Sequence, residues 1–149
     1  ALGCRLQPGV LGALVGELGS GKTLFVRGMA AGLGCVPEEV HSPSFTLVNE
    51  YACVRADTRW RLAHIDLYRL RSADEVPGIG WDEYVGARYI VAVEWAERAQ
   101  GFLHRAQFFR HGNLDVEIGQ EAAIVTQLSD GALHAFAERL LQAADHLVL

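Results

Sequence analysis

The sequence predicts an α/β fold of three layers, with a mostly parallel central sheet and an antiparallel portion. Three observations carry that expectation. A short apolar run, "VLGALV" at 10–15, feeds a glycine-rich loop, "GELGSGKT" at 16–23, which opens into a helical pattern. A second apolar run, "YIVAV" at 89–93, ends on Glu94, the pattern of a buried parallel strand that delivers a carboxylate to the edge of a sheet. Between them, strand-like stretches at 40–54 and 59–70 are joined across "VRADTR", a length that suits a hairpin.

Each element has a local reason. "VLGALV" follows a Pro8-Gly9 turn and reads as a buried strand. Leu24, Phe25, Met29 and Leu33 then fall near helical spacing, and Gly34 can end that helix. The Ser-Pro turn at 42–43 opens the next stretch, with Phe45, Leu47 and Asn49 toward one side. "SADEVPGIGWDEYVG" reads as a helix broken at Pro77-Gly78. "NLDVEIG" and "AAIVTQL" alternate well enough for a late hairpin across Gln120-Glu121. The tail from Ser129 reads as an amphipathic helix with Leu133, Phe136, Ala137, Leu140, Leu141 and Ala144 on its apolar face.

The chain has 149 residues, is 50% hydrophobic and carries a formal net charge of -5, which suits one domain over residues 1–149. An acidic chain is a poor direct reader of nucleic acid, though it can serve RNA through a partner. No apolar run is long enough to span a bilayer. "ALGC" could be taken for a lipoprotein cleavage box, but no apolar segment precedes it, so no signal peptide is expected. Cys4, Cys35 and Cys53 are odd in number and lack CxxC spacing; they read as reduced thiols of a cytoplasmic protein. None of the six histidines has metal-ligand spacing; His64, beside Asp66, reads as a structural hydrogen-bonding group.

The loop carries the chemistry. Gly16, Gly21, Lys22 and Thr23 match G-x-x-x-x-G-K-[ST] at every fixed position. Gly16, Gly19 and Gly21 would let the backbone wrap phosphate oxygens, with Glu17, Leu18 and Ser20 completing the cradle. Lys22 would reach the β- and γ-phosphates and Thr23 would ligate Mg²⁺. Lys22 is also the only lysine in the chain; every other basic side chain is arginine, as though a compact ammonium were required here. Glu94 and Asp66 are the acids placed to hold Mg²⁺ or to orient water. Trp95 either stacks on a base or packs in the core.

Four blocks together, "GELGSGKTLFVRG", "SPSFTLVNEY", "HIDLYRL" and "VEWAERA", resemble the TsaE (YjeE) family from about Leu11 to Ala99. The resemblance implies a P-loop NTPase-like fold. It also implies a weak Mg²⁺-dependent ATPase, stimulated by partners, that serves threonylcarbamoyladenosine synthesis at tRNA position 37. ATP and Mg²⁺ are the implied cofactors. The TsaB–TsaD complex is the implied partner, with tRNA contacted only indirectly and no membrane. It assigns Gly16 to Thr23 to the phosphates, Thr23 and Glu94 to the metal, and Lys22, Asp66 and Glu94 to catalysis. Thr46, in the switch-like segment Ser42 to Thr46, would sense the γ-phosphate, and Trp95 would lie near the nucleotide. Ser44 stands where the family usually has threonine, and the hydroxyl is kept. A GTPase is excluded, because N-K-x-D needs a lysine the chain has already used. A small kinase and a non-hydrolysing, nucleotide-dependent binding module stay open.

Overall fold

The computed structural model describes residues 6–86, 88–99, 101–103 and 123–127. Among the described residues, five strands form one sheet: β1 (Leu11–Val15), β2 (Val48–Arg55), β3 (Thr58–Asp66), β4 (Tyr89–Glu94) and β5 (Ala123–Gln127), in the order β2-β3-β4-β1-β5. β3, β4, β1 and β5 run parallel, and β2 is antiparallel to β3. The mixed α/β sheet expected from the sequence is therefore present.

Helix α1 (Lys22–Leu33) leaves the loop after β1 and covers one face of the sheet. Phe25, Val26, Met29 and Leu33 pack there on Leu14, Leu62, Ile90 and Ala92. Each large side chain so buried contributes on the order of 1.5–3 kcal/mol. Gly34 ends the helix in the left-handed region at φ 82°, as its position after Leu33 predicts. On the opposite face, Leu11, Ala63, Ile65, Val91 and Val93 meet Val76 and Trp81. These come from a 3-10 segment (Ala73–Ile79) and a short helix α2 (Trp81–Tyr84).

Alternation along the strands sorts the two faces. On β3, Leu62, His64 and Asp66 share the α1 side, while Ala63 and Ile65 face the other core. The register sets Asp66 beside Glu94, and Glu94 beside Leu14. The parallel strands thus end their α1 face in acids, next to the start of α1.

Several local expectations are corrected. The hairpin turns on Ala56-Asp57 alone, because β2 runs to Arg55 and β3 starts at Thr58. Residues 40–47 are not strand. They form a looped segment closed by the Leu47 N–H donating to the Pro43 carbonyl at 2.7 Å. Phe45 points to solvent there, 83% exposed. The break at 72–86 falls at Gly80, in the left-handed region at φ 81°, and Pro77 is accommodated inside the 3-10 segment. β5 pairs parallel with β1, a neighbour the hairpin reading did not give it. The other arm of that hairpin and the tail helix lie outside the described residues.

The cysteines are the clearest correction. Cys35 and Cys53 form a disulfide across 18 residues of sequence. The N–H of Val54 donates to the Gly34 carbonyl beside it, so a tertiary contact with no sequence signature brings the two together. Cys35 and Cys53 are therefore not the reduced thiols expected from their spacing. Cys4 lies outside the described residues. Among the described residues, no helix is long and apolar enough to cross a membrane.

Candidate functional site

Three segments converge at the carboxyl ends of β1, β3 and β4. The loop 16–21 turns on Gly19 (φ 79°) and Gly21 (φ 92°), both in the left-handed region that glycine tolerates. Gly16 needs no such conformation. A Cβ at Gly19 would meet nothing within 4 Å, so backbone conformation, not space, calls for glycine there. Gly21 caps α1, and the Gly21 carbonyl accepts from the Phe25 N–H. The helix start directs its free N–H groups toward the loop, an end suited to an anion. Leu18 and Glu17 are exposed at the rim, and Ser20 is buried.

Lys22 folds back into this loop. Its Nζ donates to the carbonyls of Gly16 (2.7 Å) and Glu17 (2.8 Å) and reaches Ser20 Oγ at 3.4 Å. It also sits 4.1 Å from the centre of the Trp95 ring. Only 4% of the residue is exposed. Burial pushes the ammonium's pKa below the usual lysine value, against the opposing pull of Glu94, Glu97, Asp66 and Glu17. Trp95 is half-buried and packs against the core on the sheet face opposite α1. It takes a left-handed φ of 57° just past β4, which turns the ring under Lys22 and within 5.0 Å of the Tyr68 ring. A bulky side chain in that region is strained, and such strain gathers at functional sites.

The acids have separate partners. Glu94 is 4% exposed, and its Oε1 accepts from Thr23 Oγ1 at 2.7 Å. His64 Nε2 lies 2.8 Å from the same oxygen. The His64 ring is wholly buried, and among the described residues its Nδ1 has no hydrogen-bond partner. Asp66, 2% exposed, instead holds the looped segment. Its Oδ2 accepts from Ser42 Oγ (2.9 Å) and Ser44 Oγ (3.1 Å), and its Oδ1 accepts from the Tyr68 N–H (2.8 Å).

Gly16 to Thr23, Asp66, Glu94 and Trp95 are therefore brought together. Thr46 is held elsewhere: its hydroxyl donates to Asn49 Oδ1 at 2.8 Å on the exposed side of the segment. Among the described residues, no three histidine, cysteine or acidic side chains form a metal cluster. The Thr23–Glu94 pair offers two hard oxygens side by side, a donor set that would need further oxygens from a ligand. Ser42, Ser44 and Tyr68 as partners of Asp66 went unread in the sequence. The only available signal was "HID", whose spacing puts His64 and Asp66 on one face.

A parallel strand, a glycine loop and a helix opening on Lys-Thr, faced by acids from neighbouring strand ends, make this a P-loop NTPase-like α/β fold. The family model for "Threonylcarbamoyl adenosine biosynthesis protein TsaE" matches residues 1–124. Curated relatives described as "tRNA threonylcarbamoyladenosine biosynthesis protein TsaE" agree with it. The Treponema pallidum protein is 41% identical over 97 residues, covering 65% of this chain and 67% of its own length. The Bacillus subtilis protein is 42% identical over 90 residues, covering 60% of this chain and 52% of its own. That of Aquifex aeolicus is 46% identical over 86 residues, or 57% and 56% of the two chains. The chain belongs to the TsaE family. It spans about half to two thirds of the length of these relatives.

Proposed function

We propose that this chain binds ATP with Mg²⁺ at the Gly16 to Thr23 loop and hydrolyses it weakly. In this reading it is an accessory protein for threonylcarbamoyladenosine modification of tRNA position 37, acting in the cytoplasm with the TsaB–TsaD complex. The pathway comes from the family; the nucleotide chemistry comes from the site. The observation that carries it is the convergence of Lys22, Thr23 and Glu94, with Thr23 Oγ1 and Glu94 Oε1 2.7 Å apart.

Those two oxygens fit magnesium, which takes one or two protein oxygens and fills its shell with phosphate oxygens and water. When bound, the ion would neutralise charge on the β- and γ-phosphates. The chain's own residues do the rest. Lys22 exchanges the Gly16 and Glu17 carbonyls for phosphate oxygens, which pair its charge with opposite charge. The loop N–H groups and the start of α1 orient the triphosphate. Asp66, next to Glu94 in the register, is the carboxylate available to orient water once Ser42 and Ser44 release it. Thr46 would reach the γ-phosphate only by giving up its own bond to Asn49 Oδ1.

The deciding experiment is phosphate release from Mg-ATP by this chain, alone and with purified TsaB–TsaD, beside Lys22→Ala. Weak turnover that rises with the partners and disappears in the variant is the expected result. ATP binding without Lys22-dependent turnover in any mixture would leave a nucleotide-dependent binding module. Product formation on an added small-molecule acceptor would leave a kinase.

A further inference from the structure

We propose that His64 is a positioning residue for Glu94, and through it for the magnesium site; this rests on the functional reading above. His64 lies on the α1 side of β3, opposite Ala92 in the register, where Leu62 and the sheet core surround it. The ring is wholly buried, in a position an apolar residue could fill without taking a polar group out of water. What the imidazole adds is the 2.8 Å contact from Nε2 to Glu94 Oε1. A carboxylate only accepts, so Nε2 carries the proton and donates.

Thr23 Oγ1 donates to the same oxygen from the other side, at 2.7 Å. Glu94 is thus fixed between a hydroxyl that belongs to the loop and a ring that belongs to the sheet. The division of labour follows from their exposure. Thr23 is at the mouth and is itself a metal-ligand candidate, so its bond to Glu94 changes when an ion arrives. His64 is wholly buried and has no such competing role, so its bond can persist through binding. Ala92 is small enough to leave room for the ring to reach diagonally to Glu94. The inference is that His64 sets the carboxylate's orientation before the ion and nucleotide enter, and holds it there afterwards.

The test compares wild type, His64→Leu and His64→Gln for binding of AMP-PNP by calorimetry, with Mg²⁺ and with EDTA. Removing a donor that orients a metal-binding carboxylate weakens the metal-dependent step by roughly 10–100-fold. His64→Leu should lose that much affinity in Mg²⁺ and keep its affinity in EDTA. His64→Gln, whose amide can donate to Glu94, should recover most of the loss. Equal losses with and without Mg²⁺ would make His64 merely structural, and unchanged Mg²⁺-dependent affinity in His64→Leu would also overturn the inference. If wild type itself gains no affinity from Mg²⁺, the proposed function fails and this inference fails with it. Nitrogen-15 NMR of the nucleotide-free wild type supplies a readout that needs no variant to fold. A protonated Nε2 is expected, and an unprotonated Nε2 would overturn the proposal.

Discussion

Asp66 offers the most quantitative handle on the looped segment 42–46. The perturbations are Asp66→Asn, Ser42→Ala and the double variant, all without nucleotide. In the wild type one carboxylate accepts from two serine hydroxyls and one backbone N–H, at 2.9, 3.1 and 2.8 Å. Bonds to a charged acceptor are worth about 1.5–3 kcal/mol and neutral ones about 0.5–1.5 kcal/mol, so losing the charge removes about 1 kcal/mol from each. Ser42 is exposed, which reduces its share. Asp66→Asn also relieves repulsion from Glu94, its neighbour in the register. The single variant should therefore lose only about 1–2 kcal/mol, and that number alone is ambiguous. The coupling between positions 66 and 42 is cleaner, because the Glu94 effect cancels from it. Urea unfolding of the four proteins should give a coupling of about 0.5–1 kcal/mol. Additivity within about 0.3 kcal/mol would mean that the Ser42–Asp66 bond does not help to hold the segment, and the release step proposed for Ser42 would have no basis.

Two further outcomes are expected. Lys22→Met should abolish ATP binding and also change the response of stability to pH. Burial lowers the folded-state pKa of Lys22 below 10.5, so between the folded and unfolded pKa values the unfolded chain binds more protons. Wild-type stability should rise relative to Lys22→Met as pH climbs through that window; a pH-independent difference would contradict the desolvated ammonium. Gly34→Ala should cost at least about 2 kcal/mol in thermal or urea unfolding, since alanine is strained at φ 82°. Its Cβ would also collide with the Val54 carbonyl oxygen and lie 2.8 Å from the carbonyl carbon.

What the sequence disclosed and what it hid divide along physical lines. Strand β1, the loop, α1 and its Gly34 stop were legible because each is specified by neighbouring residues. Glu94 was legible as the acid ending an apolar strand. Asp66 was found beside it, but its partners were not, since a serine contacting an aspartate 24 residues away leaves no periodic trace. The looped state of 40–47 was hidden because its Phe45 and Leu47 imitate strand alternation. There the closing bond from Leu47 to Pro43 and the Asp66 contacts override local propensity. The role of Trp95 was open because the sequence cannot reveal a left-handed φ on a tryptophan. The disulfide escaped for the same reason as the serines: distance along the chain conceals contact across it.

The burial of Lys22 has a chemical consequence for handling the protein. It is the chain's sole lysine and is 4% exposed, its nitrogen turned inward onto the loop carbonyls. Acylating reagents directed at amines therefore find no side-chain target on the outer surface of the folded protein. Reaction at Lys22 requires the loop to open and release the ammonium from the Gly16 and Glu17 carbonyls. The rate of acylation at Lys22 is a built-in clock for loop opening, in a chain that needs no engineered label.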